Sequence, residues 1–386
     1  MDFELTEQQK QIKETVRRFA ENEVAPRAVE IDETDEFPWD LFHKMVDMGL
    51  ICAGVSPEYG GGGLDTISQL IATEEIGRVS VGVADIISDQ RLCLKTLDLY
   101  GTEYQKEEYL RPLVKGNLSS FALTESHAGS DAAAIRASAI KDGNNYILNG
   151  VKTFATLAID AINVIVFLRT EKGAGAKGIS AFVVDVNAPG LSLGAKEKKM
   201  GQRGVPVCDI ILEDCVVPES CLLGKEGGGF KIAMSALDGT RLEAAAMALG
   251  GSRGALENSI AYAKERYAFG KPIGAFQMIQ AKIADMVTEL EAARLLLYKA
   301  AKLRDESLKT GKACTLHASM AKLFATESVM KHATDAVQIF GGYGYIRGYA
   351  VERIFRDVKI LQIFDGTNEI QRTVIAQLLL DLKDRG

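Results

Sequence analysis

Val164-Ile165-Val166-Phe167-Leu168 and Ala181-Phe182-Val183-Val184-Asp185 are short runs of β-branched and aromatic residues, with Tyr146-Ile147-Leu148 before them. Gly, Asn and Asp turns separate them, and no helical period lies between. Short strands at close spacing predict a compact antiparallel sheet or barrel over 121–230. On the N-terminal side the texture is helical. Thr6-Glu7-Gln8-Gln9 supplies a cap, and Ile12, Val16, Phe19 and Ala20 follow at helical spacing. The turn Glu58-Tyr59-Gly60-Gly61-Gly62-Gly63 interrupts this zone, and the helical period resumes from Thr66. On the C-terminal side, 253–266, 276–304 and 313–340 carry apolar residues at i, i+3, i+4 and i+7, the stripe of an antiparallel helix bundle. The expected organisation is multidomain α+β: a helical domain over 1–120, a β domain over 121–230 and a helix bundle over 231–386.

Composition narrows the function. The 386 residues are 47% hydrophobic and 25% charged, the mixture of a globular protein. A net charge of −7 with no basic run argues against nucleic acid as a partner. The six cysteines and four histidines lack metal-type spacing, which points to reduced, buried thiols and no metal. The amphipathic, acidic start is unlike a secretory signal, and the apolar stretch 161–168 is too short to cross a bilayer. A soluble, cytoplasmic protein is expected.

Four segments carry more than packing. Phe121-Ala122-Leu123-Thr124-Glu125-Ser126-His127-Ala128-Gly129-Ser130-Asp131 joins a strand to a loop dense in small residues and hydroxyls. It reads as a plain Ser/Gly turn or as a cradle for a planar polar ligand. Arg266-Tyr267-Ala268-Phe269-Gly270-Lys271-Pro272, with Gln277 beyond, is a solvated turn or a phosphate clamp. Gln338-Ile339-Phe340-Gly341-Gly342-Tyr343-Gly344-Tyr345 closes a long helix, and its glycines also permit close approach of a ligand. In Ile363-Phe364-Asp365-Gly366-Thr367-Asn368-Glu369, Thr367 or Asp365 can cap the next helix, and a carboxylate there can act as a base.

These segments, in this order over essentially the whole chain, resemble the FAD-dependent acyl-CoA dehydrogenase family. The resemblance implies that family's fold, a helical N-terminal domain, a β middle domain and a C-terminal four-helix bundle, assembled as a homotetramer. It implies FAD as cofactor, an acyl-CoA thioester as substrate and electron-transfer flavoprotein as electron acceptor. By motif, Phe121, Leu123, Thr124, Ser130, Phe154 and Thr156 would meet the flavin. Arg266, Phe269 and Gln277 would hold the pyrophosphate and adenine, Gln338, Gly341 and Gly342 the FAD of a neighbouring subunit, and Thr367 and Glu369 the last flavin contacts. Ser130, Asp238, Thr240, Arg241 and Gly366 would meet the substrate.

Two departures bear on the chemistry. The family usually places Glu before Gly-Thr, and here the residue is Asp365, shorter by about 1.5 Å. The alternative Glu position of some members is Thr240. Asp85 and Asp89 lie four apart, on one helix face, where the family has small, apolar or His residues near position 89. They are either solvated or paired with Arg91, or Asp89 enters the acyl pocket as a second base. A second carboxylate suits a compact ring, so Asp365 and Asp89 are the catalytic candidates and a cyclohexane- or cyclohexene-carboxyl-CoA the expected substrate. A short linear or branched acyl-CoA with Asp365 as α-base is the alternative, and a silent CoA-thioester-binding flavoprotein a remoter one. Leu157-Ala158-Ile159 replaces the family's polar Asn-Gly turn, so a remodelled loop is expected there.

Overall fold

The computed structural model describes residues 4–382. The first helices are α1 (Glu7–Phe19), α2 (Ala28–Thr34), α3 (Trp39–Asp47), α4 (Thr66–Gly77) and α5 (Val81–Tyr100), then the short α6 (Glu103–Gln105) and α7 (Arg111–Val114). Thr6 caps α1 in a reciprocal box with Gln9, as the sequence signature requires. The strands β1 (Leu118–Ala122), β2 (Ser138–Asp142), β3 (Asn145–Thr156), β4 (Ala161–Arg169), β5 (Ile179–Asp185), β6 (Leu191–Leu193), β7 (Val207–Pro218) and β8 (Leu222–Leu223) form one sheet. The chain closes with α8 (Gly229–Glu265), α9 (Gln277–Thr310), α10 (Thr315–Phe340), α11 (Ala350–Val358) and α12 (Asn368–Leu379).

The sheet runs β6-β7-β3-β2-β4-β5-β8, and β1 pairs with β4 in parallel, Phe121 beside Ile165. The expectation of a purely antiparallel sheet is therefore corrected. Strand β1 arrives directly from the helical domain, so it enters beside β4 in whichever direction α5 and α7 deliver it. The sheet has its own core, with Tyr146, Leu148, Val164, Val166, Phe182 and Ile210 all buried. The helices share a second, larger core that includes Phe42, Ile87, Leu97, Met247 and Val329.

The bundle's first helix begins at Gly229, next to the expected start of the C-terminal helical zone, and runs on through the apolar stripe of 253–266. Asp238, Thr240, Arg241 and Glu243 interrupt the apolar stripe in its first half, yet all are buried there against partners from other elements. Among the described residues no helix is long and apolar enough to cross a membrane.

Candidate active site

Helix α5 is locked to the sheet by one side chain. Gln90 donates to the Ser119 carbonyl at 2.9 Å and accepts from the Ser119 N–H at 3.1 Å. The next residue on β1, Ser120, donates to the Thr156 carbonyl at 2.7 Å. These bonds bring Asp89, the neighbour of Gln90, beside the Thr156 hydroxyl at the end of β3. A bulge in β3 between Lys152 and Ala155 re-aims the strand there. Phe154 takes a left-handed φ of 58° and stands 64% exposed.

Asp365 comes from the opposite side, on the turn before α12. Its φ is 54° and that of Gly366 is 86°. Gln371 Nε2 donates to the carbonyls of Asp365 (3.1 Å) and Gly366 (2.8 Å), and Arg241 Nε lies 3.4 Å from the Asp365 carbonyl. Lys322, fully buried on α10, donates to the Gly366 carbonyl at 3.0 Å and to Asn368 Oδ1 at 2.8 Å. Thr367 caps α12 by accepting from the Ile370 N–H. Arg241 is itself held by Asp238 at 2.8 Å, which also accepts from Thr315.

Asp85, Asp89 and Asp365 thus form one electrostatic group, Asp85 buried and the other two half-buried. Burial pushes every one of them above the ordinary carboxylate range, and their mutual repulsion adds to it for Asp85 and Asp89. Asp85 is pushed up to about 7. Asp365 is raised by burial, while the Thr240 hydroxyl and the cations of Lys322 and Arg241 pull it back. Asp85 Oδ1 and Asp89 Oδ2 are buried with no hydrogen-bond partner among the described residues. The pairing of either with Arg91 is excluded, because that guanidinium is spent on Glu243 (2.9 Å), Thr73 and the Leu50 carbonyl. Glu243 in turn accepts from Thr73 at 2.6 Å. A cavity of about 100 Å³ lies between α4, α5, α8 and α9, lined by Ser88 and Leu92 of α5 and by Thr240 of α8. Leu70, Leu92, Leu99 and Tyr100 give it an apolar side, and Thr240 and Glu243 its end toward Asp365. It exceeds the roughly 10–15 Å³ that one water needs.

Three family models cover nearly all of the chain: the acyl-CoA dehydrogenase N-terminal domain over residues 6–117, the middle domain over 120–215 and the C-terminal domain over 227–380. The chain belongs to the acyl-CoA dehydrogenase family. It is 46% identical to acryloyl-CoA reductase (NADH) of Anaerotignum propionicum, over 98% of this chain and 95% of the relative. It is 44% identical to cyclohex-1-ene-1-carbonyl-CoA dehydrogenase of Syntrophus aciditrophicus, over 98% and 91%. The solved butyryl-CoA dehydrogenase of Megasphaera elsdenii shares 42% identity and superposes with a TM-score of 0.94, covering 98% of this chain and all of the other.

This acyl-CoA dehydrogenase is an FAD-dependent oxidoreductase, and its residues fit the cofactor. Phe154 is bared by a bulge beside Thr156, and Phe121 packs on Phe167 with ring centroids 4.7 Å apart and planes tilted by 50°. Phe269 stands 95% exposed at a φ of 53°, and a side chain at Gly341 would meet open space. Large aromatics left bare on built turns suit a planar partner. Of the flavin candidates, Phe121, Leu123, Thr124 and Thr156 gather at the β1–β3 edge: the Thr124 carbonyl accepts from the Thr153 N–H at 2.9 Å, and Leu123 is buried with its carbonyl accepting from Lys152. Ser130 and Glu369 are exposed. Arg266, Phe269, Gln277, Gln338, Gly341 and Gly342 lie at the bundle surface. There the Arg266 guanidinium sits 5.7 Å from the Tyr343 ring, and Tyr262 stacks on Phe340 at 4.1 Å. Leu157 keeps a left-handed turn, φ 61°, but buries its side chain completely and donates to the Pro206 carbonyl.

Lys322, Gln371 and Asn368 escaped the sequence reading. Lys322 shares the stripe of Ala318, Ala321, Ala325 and Val329, and a lysine in an apolar stripe was the available signal.

Proposed function

We propose that the chain dehydrogenates a cyclic acyl-CoA, such as cyclohex-1-ene-1-carboxyl-CoA or cyclohexane-1-carboxyl-CoA, using two carboxylates. The observation that carries this is Asp89: half-buried, its Oδ2 shut off from solvent with no hydrogen-bond partner among the described residues, beside Thr156 and within the field of Asp365. Asp365 takes the α-proton of a saturated ring. Asp89, facing the far side of the acyl group, takes the distal proton when the ring already holds a double bond. A carboxyl raised by burial is a stronger base once ionised, which suits removal of a weakly acidic C–H proton. Thr240 and Arg241 fix the Asp365 turn, while Ser130, Asp238 and Gly366 border the thioester. Bound FAD accepts the hydride and carries the redox chemistry. Phe121, Leu123, Thr124, Phe154 and Thr156 hold its ring system, and the exposed cluster from Arg266 to Gly342 grips the FAD of a neighbouring copy in a homotetramer. Electrons leave to electron-transfer flavoprotein.

The test is anaerobic mixing of the holoenzyme with cyclohexane-carboxyl-, cyclohexene-carboxyl-, butyryl-, isobutyryl- and glutaryl-CoA, following flavin bleaching in wild type, Asp365→Ala and Asp89→Ala. Bleaching by ring thioesters that Asp89→Ala abolishes supports the proposal. Bleaching by a linear thioester with Asp89→Ala unimpaired overturns it. A second reading rests on the raised carboxyls themselves: a carboxyl that keeps its proton at neutral pH can protonate an enoyl thioester during reduction. That is the direction printed in the name of the Anaerotignum relative.

A further inference from the structure

The buried carboxyl that neither proposed proton transfer uses is Asp85. It sits one turn before Asp89 on α5, where side chains four apart have Cβ atoms about 5–6 Å from each other. Asp85 is 4% exposed, and its Oδ1 has no hydrogen-bond partner among the described residues. The helix face it shares points two ways. Toward the substrate it meets Asp89 and Asp365. Away from the substrate it meets the 199–203 segment. Gly82, three residues earlier on the same face, packs so close that an added Cβ would stand 3.3 Å from Gln202 Cα and 3.5 Å from the Arg203 carbonyl.

That segment presents a matching orphan. Gln202 is 4% exposed, sits in a left-handed φ of 48°, and its Nε2 has no acceptor among the described residues. Its backbone N–H donates to Asp357 at 2.6 Å, on α11. Lys199, partly exposed, donates to the Val205 carbonyl. Its charge acts on Asp85 on one side and on Asp35 on the other. The electrostatic neighbours of Asp89 are Asp85 and Asp365, whereas those of Asp85 also include Lys199 and Asp357. Asp85 therefore stands one turn from Asp89 and within the field of the partly exposed Lys199.

We propose that Asp85 is a proton-relay residue, carrying the substrate's proton from Asp89 to the Lys199–Gln202 edge of α5, where it passes to water. The inference rests on Asp89 acting as a base. In the step it serves, a substrate C–H bond breaks, its electron pair forms the new C=C bond and Asp89 gains the proton, while the second hydrogen leaves as hydride to the oxidised flavin. The relay then breaks the Asp89 O–H bond and forms an Asp85 O–H bond, restoring the Asp89 carboxylate. Asp85 next gives the proton to water. Charge balances at each step: one proton leaves by this route in each reductive half-reaction, and the hydride hydrogen is released as a second proton when the acceptor reoxidises the cofactor. The charged groups acting on Asp85 are Asp89 on its own helix, Asp365 on the α12 turn, Lys199 on the 199–203 segment and Asp357 on α11.

The experiment is stopped-flow mixing of the anaerobic holoenzyme with cyclohexene-carboxyl-CoA in weak buffer with a pH-indicator dye, reading flavin bleaching and proton release together. In Asp85→Asn, proton release lags the first bleaching event, and steady-state turnover with a ferrocenium acceptor falls by about 10²-fold with an enlarged solvent isotope effect. Lys199→Met leaves the buried helix intact, and its proton release lags in the same way. Proton release in step with bleaching in both variants overturns the relay, as does loss of the first bleaching event in Asp85→Asn alone, which would make Asp85 the base. Absence of bleaching in wild type refutes the substrate reading instead. The dye experiment is then run with whichever thioester of the panel bleaches, where the same two outcomes decide.

Discussion

Lys322 Nζ stands 3.0 Å from the carbonyl oxygen of Gly366, so a fully buried ammonium on α10 holds the turn that presents Asp365. Burial lowers that ammonium to about 8, and the Asp365 charge pulls it back up. One cation thus does two things. It fixes the backbone of the turn, and it favours the ionised form of the carboxyl beside it.

Replacing Lys322 with Met removes both effects. A catalytic group displaced by about 1 Å costs on the order of 10²-fold in rate. The expected result for Lys322→Met is a loss of that order in kcat, with the pH limb of the oxidative reaction moved to higher pH. A purely structural role would lower kcat without moving the limb. Steady-state profiles of both proteins separate the two.

The carboxyl group of three makes the direction of pH dependence explicit. Oxidation needs a carboxylate, and Asp85, Asp89 and Asp365 are all raised, so they titrate as a coupled set. The oxidative rate therefore rises with pH at values above the ordinary carboxylate range, because burial raises both Asp89 and Asp365. Reduction of an enoyl thioester needs the protonated form and falls over the same range. A pH–rate profile in each direction checks the sign.

Stability follows the linkage in the opposite sense. The unfolded chain ionises these groups near 3.8, while the folded chain keeps protons on them to higher pH. The folded state binds more protons in between, so their contribution is complete below about 4 and is lost as pH rises toward 7. The apoprotein's melting temperature falls across that window, and Asp85→Asn flattens the fall. A thermal scan at several pH values measures it.

In the β domain, Lys152 is fully buried and meets Glu125 at 2.7 Å. Glu125 also accepts from the N–H groups of Arg136 and Ala137, pinning the loop after β1. Removing the cation strands a buried carboxylate, which costs about 3–5 kcal/mol. Lys152→Met should lose stability of that size by urea unfolding, whereas a value under about 1 kcal/mol would match an exposed pair instead.

The order of helices, sheet and helices was legible because each zone keeps one period over many residues. The Asp85–Asp89 face was legible too, since a spacing of four decides it. The destination of Arg91 was not, because Glu243 lies far along the chain and only the tertiary fold brings it near. The same reason hides the grip of Lys322 and Gln371 on the Asp365 turn, which is made to carbonyl oxygens that every residue owns. The partners of the polar side chains in the first half of α8 were not legible, because Arg91, Thr315 and Asp365 reach them only in the folded chain.

The sheet's separate core has a dynamic consequence. Strands β2, β3 and β7 bury only into the sheet's own core, whereas β4 and β5 also put Ile165, Phe167, Ile179 and Val183 into the helical core, so β2, β3 and β7 are suited to open as a unit with their own free energy. Phe154 and Thr156 ride on β3 inside that unit. Loss of the yellow chromophore and cooperative opening of those three strands would then be one event, and amide exchange along β3 would slow when the cofactor is bound.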